Sequence, residues 1–236
     1  MSFDSPKEKI DYFLQKGIVL DIYLSRLAYS LIMTIGKNGQ KLDGTPFQLF
    51  FRDIQTLLSD HLIVHITKLF EKPNGRYEIV SVPSVLQYIK EYSSTLEIIE
   101  KPLVCIQLKS LGVPDAILSN PSTELLNKII VDYFDSTLPL IENSIDLQAL
   151  RILRNKRIAH KEAIDISSRP ITTFKNAFEL IKFAQNFAII VGAAYTSTIY
   201  GQIGDFFYLG EDAERASNSL EKIFAQLTKV DPTNHF

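Results

Sequence analysis

Apolar residues along this chain recur at steps of three and four positions, which is the period of one face of an α-helix. One run near the amino terminus predicts a long helix with a single apolar face formed by Leu20, Leu24, Leu27, Leu31 and Ile35. A second run predicts another long helix near the carboxyl terminus, with its face formed by Phe174, Phe178, Ile181, Ala184, Ala188 and Val191. Strand-like alternation is short, and residues 77–82 are its best candidate.

Start and stop signals divide the rest of the chain into further helices. Ser5-Pro6-Lys7-Glu8 combines an N-cap, a proline at the first helical position and a glutamate placed to complete a capping box. Thr45-Pro46-Phe47-Gln48 repeats this signal and predicts a helix to about Phe70. A third helix is expected over residues 81–100, closed before Pro102, and a fourth over residues 120–143, kinked or shortened at Pro139. Asp146 is expected to cap the next helix. A last helix is expected from the break at 201–210 to about Lys229. The pattern predicts an all-α bundle of about five to seven helices, with residues 1–236 forming one domain.

Composition excludes several classes of protein. Hydrophobic residues make up 46% of the chain and charged residues 22%, which favours a packed core over disorder. A net charge of -2 and a pI near 6.1 disfavour a general nucleic-acid coat protein. A single cysteine, Cys105, excludes an intrachain disulfide and fits a cytoplasmic setting. The most apolar run, residues 187–195, is about half the length of a bilayer span, so no membrane partner is expected.

One short segment reverses the local charge. Residues 151–161 contain five basic side chains, one histidine and no acid, whereas residues 129–150 contain acids and no base. Such a segment in a near-neutral protein suggests a site for an anion, and histidine is the side chain that titrates near neutral pH. With α-helical spacing, Arg154, Arg157 and Lys161 share a face, and His160 lies beside Arg157.

These residue types suit the cleavage of RNA. An arginine can hold a phosphate with its planar fork, and a histidine can move the proton of the 2′-hydroxyl or of the leaving oxygen. The 2′-hydroxyl is an internal nucleophile, so neither a metal nor another cofactor is expected. The alternative from the residues alone is a basic stripe that is solvated or paired with the preceding acids.

The run Arg154-Asn155-Lys156-Arg157-Ile158-Ala159-His160 resembles the signature of the HEPN superfamily, the higher eukaryote and prokaryote nucleotide-binding domains. That signature is an arginine, often followed by a polar residue, and a histidine after a short gap. The wider phrase from Leu153, together with Ile66-Thr67-Lys68-Leu69-Phe70-Glu71, resembles the AbiU-type abortive-infection branch. The resemblance covers residues from about 45 to 200, and residues 1–44 form an amino-terminal helix outside its clearest part.

The resemblance implies a helical homodimer in which two motif copies face one another, acting as a metal-independent endoribonuclease in phage defence or a toxin-antitoxin system. It assigns Arg154 to the scissile phosphate, His160 to proton transfer and Asn155 to positioning the pair. The basic neighbours expected to contact RNA phosphates are Arg151, Lys156, Arg157 and Lys161. An antitoxin or regulatory protein is a further expected partner.

Two other interpretations stay open at this point. A HEPN-like module without catalysis would use the basic segment to bind a partner protein or a nucleotide. An unrelated helical interaction protein would leave the segment solvated. Separately, His61 and His65 have the spacing of a metal-binding pair but no evident third ligand, which favours a position at the edge of the core.

Overall fold

The computed structural model describes residues 3–74, 77–159, 172–196, 198, 200, 202–203 and 206–227. These residues are predominantly helical, which confirms the predicted all-α bundle. The helices are α1 (Pro6–Phe13), α2 (Val19–Lys37), α3 (Gly39–Leu42), α4 (Gln48–Leu69), α5 (Val82–Tyr92), α6 (Lys101–Ser110), α7 (Asp115–Leu118), α8 (Thr123–Glu142), α9 (Ile145–Leu153), α10 (Phe174–Tyr195) and α11 (Tyr208–Leu227). Two π-helical segments continue α-helices: π1 (Leu14–Ile18) joins α1 to α2, and π2 (Arg154–Ala159) follows α9. A short antiparallel pair, β1 (Gln202–Ile203) and β2 (Phe206–Phe207), precedes α11.

Hydroxyl side chains cap the starts of α1, α5, α8, α9 and α10. The start signal predicted at Thr45 is not used, because the N-cap of α4 is Phe47, which makes no side-chain cap bond. The Ser5 hydroxyl accepts the Glu8 N–H at 3.2 Å, and the Glu8 carboxylate accepts the Asp4 N–H at 2.8 Å, so the predicted capping signal is used. Each such cap satisfies a main-chain donor that the helix cannot. The same role is taken by Ser81 for α5, Ser122 for α8, Ser144 for α9 and Thr173 for α10.

The prediction that Asp146 caps α9 is wrong, because the cap is Ser144, whose hydroxyl accepts the Leu147 N–H at 3.2 Å. Asp146 lies in the first turn, where a carboxylate interacts favourably with the positive end of the helix dipole. Its carboxylate accepts the Asn176 amide at 2.9 Å and thereby ties α9 to the start of α10.

The helix predicted over residues 81–100 is too long, and the helix after it was missed. Helix α5 ends at Tyr92, and α6 begins at Lys101 with Pro102 in its first turn. A proline ends a helix that precedes it but fits the first turn of a new one, where no N–H is needed. The stretch between them pairs with the end of α10, because Ile99 N–H donates to the Ala194 carbonyl at 2.9 Å.

Two smaller expectations also differ from the structure. Helix α8 continues past Pro139 to Glu142, so the proline does not shorten it. A proline in the last turn costs one main-chain bond, and the Asn143 N–H still reaches the Pro139 carbonyl at 3.0 Å. The strand proposed for residues 77–82 is absent from that stretch, which contributes only an isolated bridge between Asn74 and Tyr77.

Helix α10 forms the centre of the bundle. Every residue from Phe187 to Tyr195 is buried, so this half of the helix is enclosed on all sides, as an apolar helix without a polar face requires. It packs against α2, α4, α6, α8 and α9. The single apolar face predicted for this helix is therefore too narrow in its second half. At the start of the helix, Phe174, which was predicted to lie on that face, is exposed.

The first long helix buries only part of the predicted face: Ile35 is buried, but Leu24, Leu27 and Leu31 are only half-buried. Leu20 is 48% exposed, whereas Ile18, Ile22, Ala28 and Ile32 are buried. The buried face is wide because α2 packs against α4 on one side and α11 on another. A smaller apolar cluster covers the contact with α11, where the Phe224 ring lies 4.8 Å from that of Phe51.

Two helical stretches, Pro6–Lys37 and Phe174–Tyr195, are long and apolar enough to cross a membrane by length and composition. The most apolar window of each is 50% and 72% buried inside the protein, respectively. Core helices of bundles have the same composition, so this property does not distinguish them from membrane spans.

Gly17 in π1 is required by packing. A Cβ atom built on Gly17 would overlap the side chain of Val80. Gly17→Ala should therefore lower the free energy of unfolding by about 1–3 kcal/mol, the usual cost of overpacking a core. Urea unfolding measures this, with Gly36→Ala as the control, because a Cβ there meets nothing closer than 3.7 Å. Equal stability of the two variants would contradict the packing argument.

Candidate functional site

The basic segment follows α9 directly, and its first part is π-helical. Residues Arg154 to Ala159 form π2, in which hydrogen bonds span five residues rather than four. The prediction that Arg154 and Arg157 share a face assumed α-helical spacing, and that assumption is wrong for this segment. Single π-helical turns within α-helices often occur at functional sites.

Arg151, at the last turn of α9, binds main-chain carbonyls at the ends of two other helices. Its Nη2 donates to the Phe70 carbonyl at 2.8 Å, and its Nη1 donates to the Glu142 carbonyl at 3.4 Å. Phe70 caps α4 and Glu142 ends α8, so one cation meets the negative ends of two helix dipoles. Burial lowers the pKa of Arg151, which remains charged, since arginine loses its proton only at very high pH.

Arg154 lies one turn after Arg151 and contacts Glu71, the residue that follows the C-cap of α4. Its Nη1 lies 3.3 Å from the Glu71 carboxylate, and its Nε donates to the Asn155 side-chain oxygen at 3.2 Å. The side chain of Arg154 is 27% exposed and that of Glu71 is 40% exposed. The guanidinium is thus held on two sides and still open to solvent.

The other predicted site residues are only partly described. Asn155 is exposed. Lys156 is half-buried and interacts with another group. The main chain of Arg157 belongs to π2, but its side chain lies outside the described residues, as do His160 and Lys161. The structure therefore brings Arg154 and Asn155 together, and the placement of His160 stays a prediction.

The acids that precede the basic segment have partners of their own. Asp132 pairs with Lys128 at 2.6 Å, Asp135 with Lys90 at 2.7 Å and Glu142 with Lys72 at 3.2 Å. The acid that pairs with Arg154 comes instead from the end of α4, 83 positions away in the sequence. Glu71 ends the segment from Ile66 that resembles the AbiU-type branch, but nothing in the sequence predicted that it pairs with Arg154.

His65 and Lys68 of α4 form a polar contact with α2. His65 Nδ1 lies 2.6 Å from Asp21 Oδ1, and Lys68 Nζ lies 2.9 Å from the same oxygen. Asp21 is 2% exposed, which makes this a nearly buried ionic contact between two helices. The signal that sequence reasoning missed is an acid inside the apolar run Val19-Leu20-Asp21-Ile22.

His61 stacks edge-on against His65, with ring centroids 4.2 Å apart. Burial, and then the neighbouring His65, lower the pKa of His61. No group of three metal-ligating side chains occurs among the described residues. His61 is exposed and the His65 side chain is 12% exposed, so the pair lies at the edge of the core.

The fold and this site define a class: an all-α bundle that carries the Arg154-Asn155 pair at the start of a π-helical turn. The family model for AbiU2, a HEPN family, matches residues 11–219, and the chain belongs to this family. The match begins within α1 and thus takes in the amino-terminal helices as well as the motif. No curated protein and no solved structure matches the chain.

Arg151 and Arg154 should differ sharply in their effect on stability. Arg151→Ala leaves two carbonyls at helix ends without their charged donor and should lower the free energy of unfolding by about 1.5–3 kcal/mol. Arg154→Ala removes a partly exposed ion pair and should cost less than about 1 kcal/mol. Urea unfolding of both variants at one protein concentration measures the difference. A larger loss for Arg154→Ala would reverse the assignment of the two roles.

Proposed function

We propose that this protein is a metal-independent endoribonuclease that acts in phage defence or as the toxin of a toxin-antitoxin system. The observation that carries the proposal is the state of Arg154: partly exposed, held by Asn155 and located at the first residue of π2. Membership of a HEPN family supports a ribonuclease or abortive-infection role. The HEPN signature begins at this same arginine.

In the proposed reaction Arg154 binds the scissile phosphate. Its planar guanidinium can donate two parallel hydrogen bonds to phosphate oxygens and offset the charge that develops in the transition state. The Nε bond to Asn155 fixes the plane of the guanidinium, which is a positioning role for Asn155. A lysine at position 154 could not keep this geometry, since it has a single rotatable ammonium group.

His160 moves the proton in the proposed reaction. The 2′-oxygen attacks phosphorus, the bond from phosphorus to the 5′-oxygen breaks, and protons leave the 2′-hydroxyl and reach the 5′-oxygen. A histidine has the pKa for this transfer near neutral pH. The products are a 2′,3′-cyclic phosphate and a 5′-hydroxyl, and no cofactor takes part.

The remaining basic residues differ in their proposed roles. Lys156, Arg157 and Lys161 are proposed to contact phosphates along the RNA, which gives affinity without reading sequence. Arg151 is assigned to holding helix ends, because its guanidinium already donates to the carbonyls of Phe70 and Glu142. A homodimer with two facing motifs, a cytoplasmic location and an antitoxin or regulatory partner complete the proposal.

The test is cleavage of RNA in the presence of a metal chelator. Wild type should cleave, His160→Ala should be slower by about 10²–10⁴-fold, and Arg154→Ala by about 10²–10³-fold. Arg52→Ala is the matched control, because Arg52 is an exposed arginine of α4 whose contact is its neighbour Asp53. It should cleave at the wild-type rate.

Three measurements decide how the result is interpreted. Circular dichroism and dimer mass must be unchanged in the variants, and end-group analysis must find the cyclic phosphate. Cleavage that survives in both variants would assign the activity to another site or a contaminant. Absence of cleavage by wild type on several RNAs would replace the nuclease with the non-catalytic HEPN module, which binds a partner or nucleotide through the same basic segment.

A further inference from the structure

The end of α4 is held by two arginines of one neighbouring helix. Arg151 donates to the carbonyl of Phe70 at 2.8 Å, and Arg154 contacts the carboxylate of Glu71 at 3.3 Å. Consecutive residues of α4's end thus meet arginines that are three positions apart. The Glu71 main chain is held as well, because the Ser81 hydroxyl donates to its carbonyl at 2.6 Å.

The position of the Glu71 carboxylate is unfavourable for α4 itself. Glu71 follows directly after the C-cap Phe70, at the negative end of the helix dipole, where cations stabilise and anions destabilise. Lys68, in the last turn of α4, does little to offset this charge, because its ammonium group already pairs with Asp21 at 2.9 Å. Helix formation therefore does not explain an acid at this position, and its contact is with the candidate phosphate-binding side chain.

A carboxylate and a phosphate present similar pairs of oxygens to a guanidinium. Only one of the two anions at a time can accept the hydrogen bond that Arg154 Nη1 donates to Glu71. Because both side chains are partly exposed, at 27% and 40%, a phosphate can reach the pair without opening the bundle.

We propose that Glu71 is a positioning residue that occupies Arg154 in the RNA-free protein and is displaced by a phosphate of the RNA. This inference rests on the proposed function and adds a regulatory element to it. In the RNA-free protein Glu71 holds the guanidinium through this contact, and RNA must replace it. The same contact lowers the affinity for RNA by the free energy of the ion pair.

The consequence is measurable as a gain of RNA affinity on removing the charge of Glu71. Glu71→Gln keeps the shape of the side chain and its main-chain bond to Ser81, and removes the competing anion. A partly exposed ion pair is worth up to about 1 kcal/mol, which corresponds to an affinity gain of about two- to fivefold. The gain must depend on Arg154 and must be absent from Arg154→Ala/Glu71→Gln compared with Arg154→Ala.

The probe is a fluorescein-labelled single-stranded RNA of mixed sequence with 2′-O-methyl riboses, which lacks the nucleophile and cannot be cleaved through it. Fluorescence anisotropy gives the dissociation constant for wild type, Glu71→Gln, Arg154→Ala and the double variant at one salt concentration. Glu142→Gln is the matched control, because Glu142 is a nearby acid that pairs with Lys72 instead. It removes the same charge without touching Arg154.

Tighter binding by Glu71→Gln, absent without Arg154 and smaller in Glu142→Gln, supports the proposal. Equal gains in Glu71→Gln and Glu142→Gln, or a gain that persists without Arg154, would show that general charge repulsion causes the effect, and would overturn the proposal. Unchanged or weaker binding by Glu71→Gln, with Arg154 still needed for binding, overturns the role of Glu71 and leaves the nuclease proposal intact. Binding that never depends on Arg154 overturns both.

Discussion

The guanidinium of Arg151, donating to carbonyls at the ends of α4 and α8, fixes how α9 and the start of π2 sit against the end of α4. Main-chain carbonyls at a helix end have no partner within the helix, and a cation there also meets the negative end of the dipole. One side chain of α9 thereby joins three helices. The register of this contact places Arg154, one turn later, beside the residue that follows Phe70.

This arrangement separates two kinds of arginine within one short basic segment. Arg151 is used for folding and Arg154 is held at the surface with a replaceable partner. A charge count of the segment cannot distinguish them, because both arginines carry the same charge. Burial and partner type distinguish them, since main-chain carbonyls cannot leave the site, whereas a carboxylate on a flexible side chain can.

Some of the features that local sequence determines were predicted correctly. Ser5 caps α1 as predicted, and α5 begins after Ser81 as predicted, because a hydroxyl in the right place satisfies main-chain donors within the next few residues. Thr45 and Asp146, in contrast, do not cap the helices that they were expected to begin. The family was also recognised from a run of adjacent residues that begins at Arg154. The parts that depend on distant residues were missed: the pairing of Arg154 with Glu71, the Asp21–His65 contact and the burial of α10 on all sides. Pro102 was misread because a proline marks the end of one helix or the start of another, and the following residues decide which.

The composition of α10 has a consequence for how the protein is made in the cell. From Phe187 to Tyr195 the helix has no polar face, and only the surrounding helices keep it from water. During synthesis this stretch leaves the ribosome before α11, so its shielding depends on partners already made, among them α2, α4 and α6. Any substitution that loosens those helices therefore exposes a segment that chaperones and membrane-insertion machinery recognise. The steady-state abundance of such variants should fall before any intrinsic property of the motif changes.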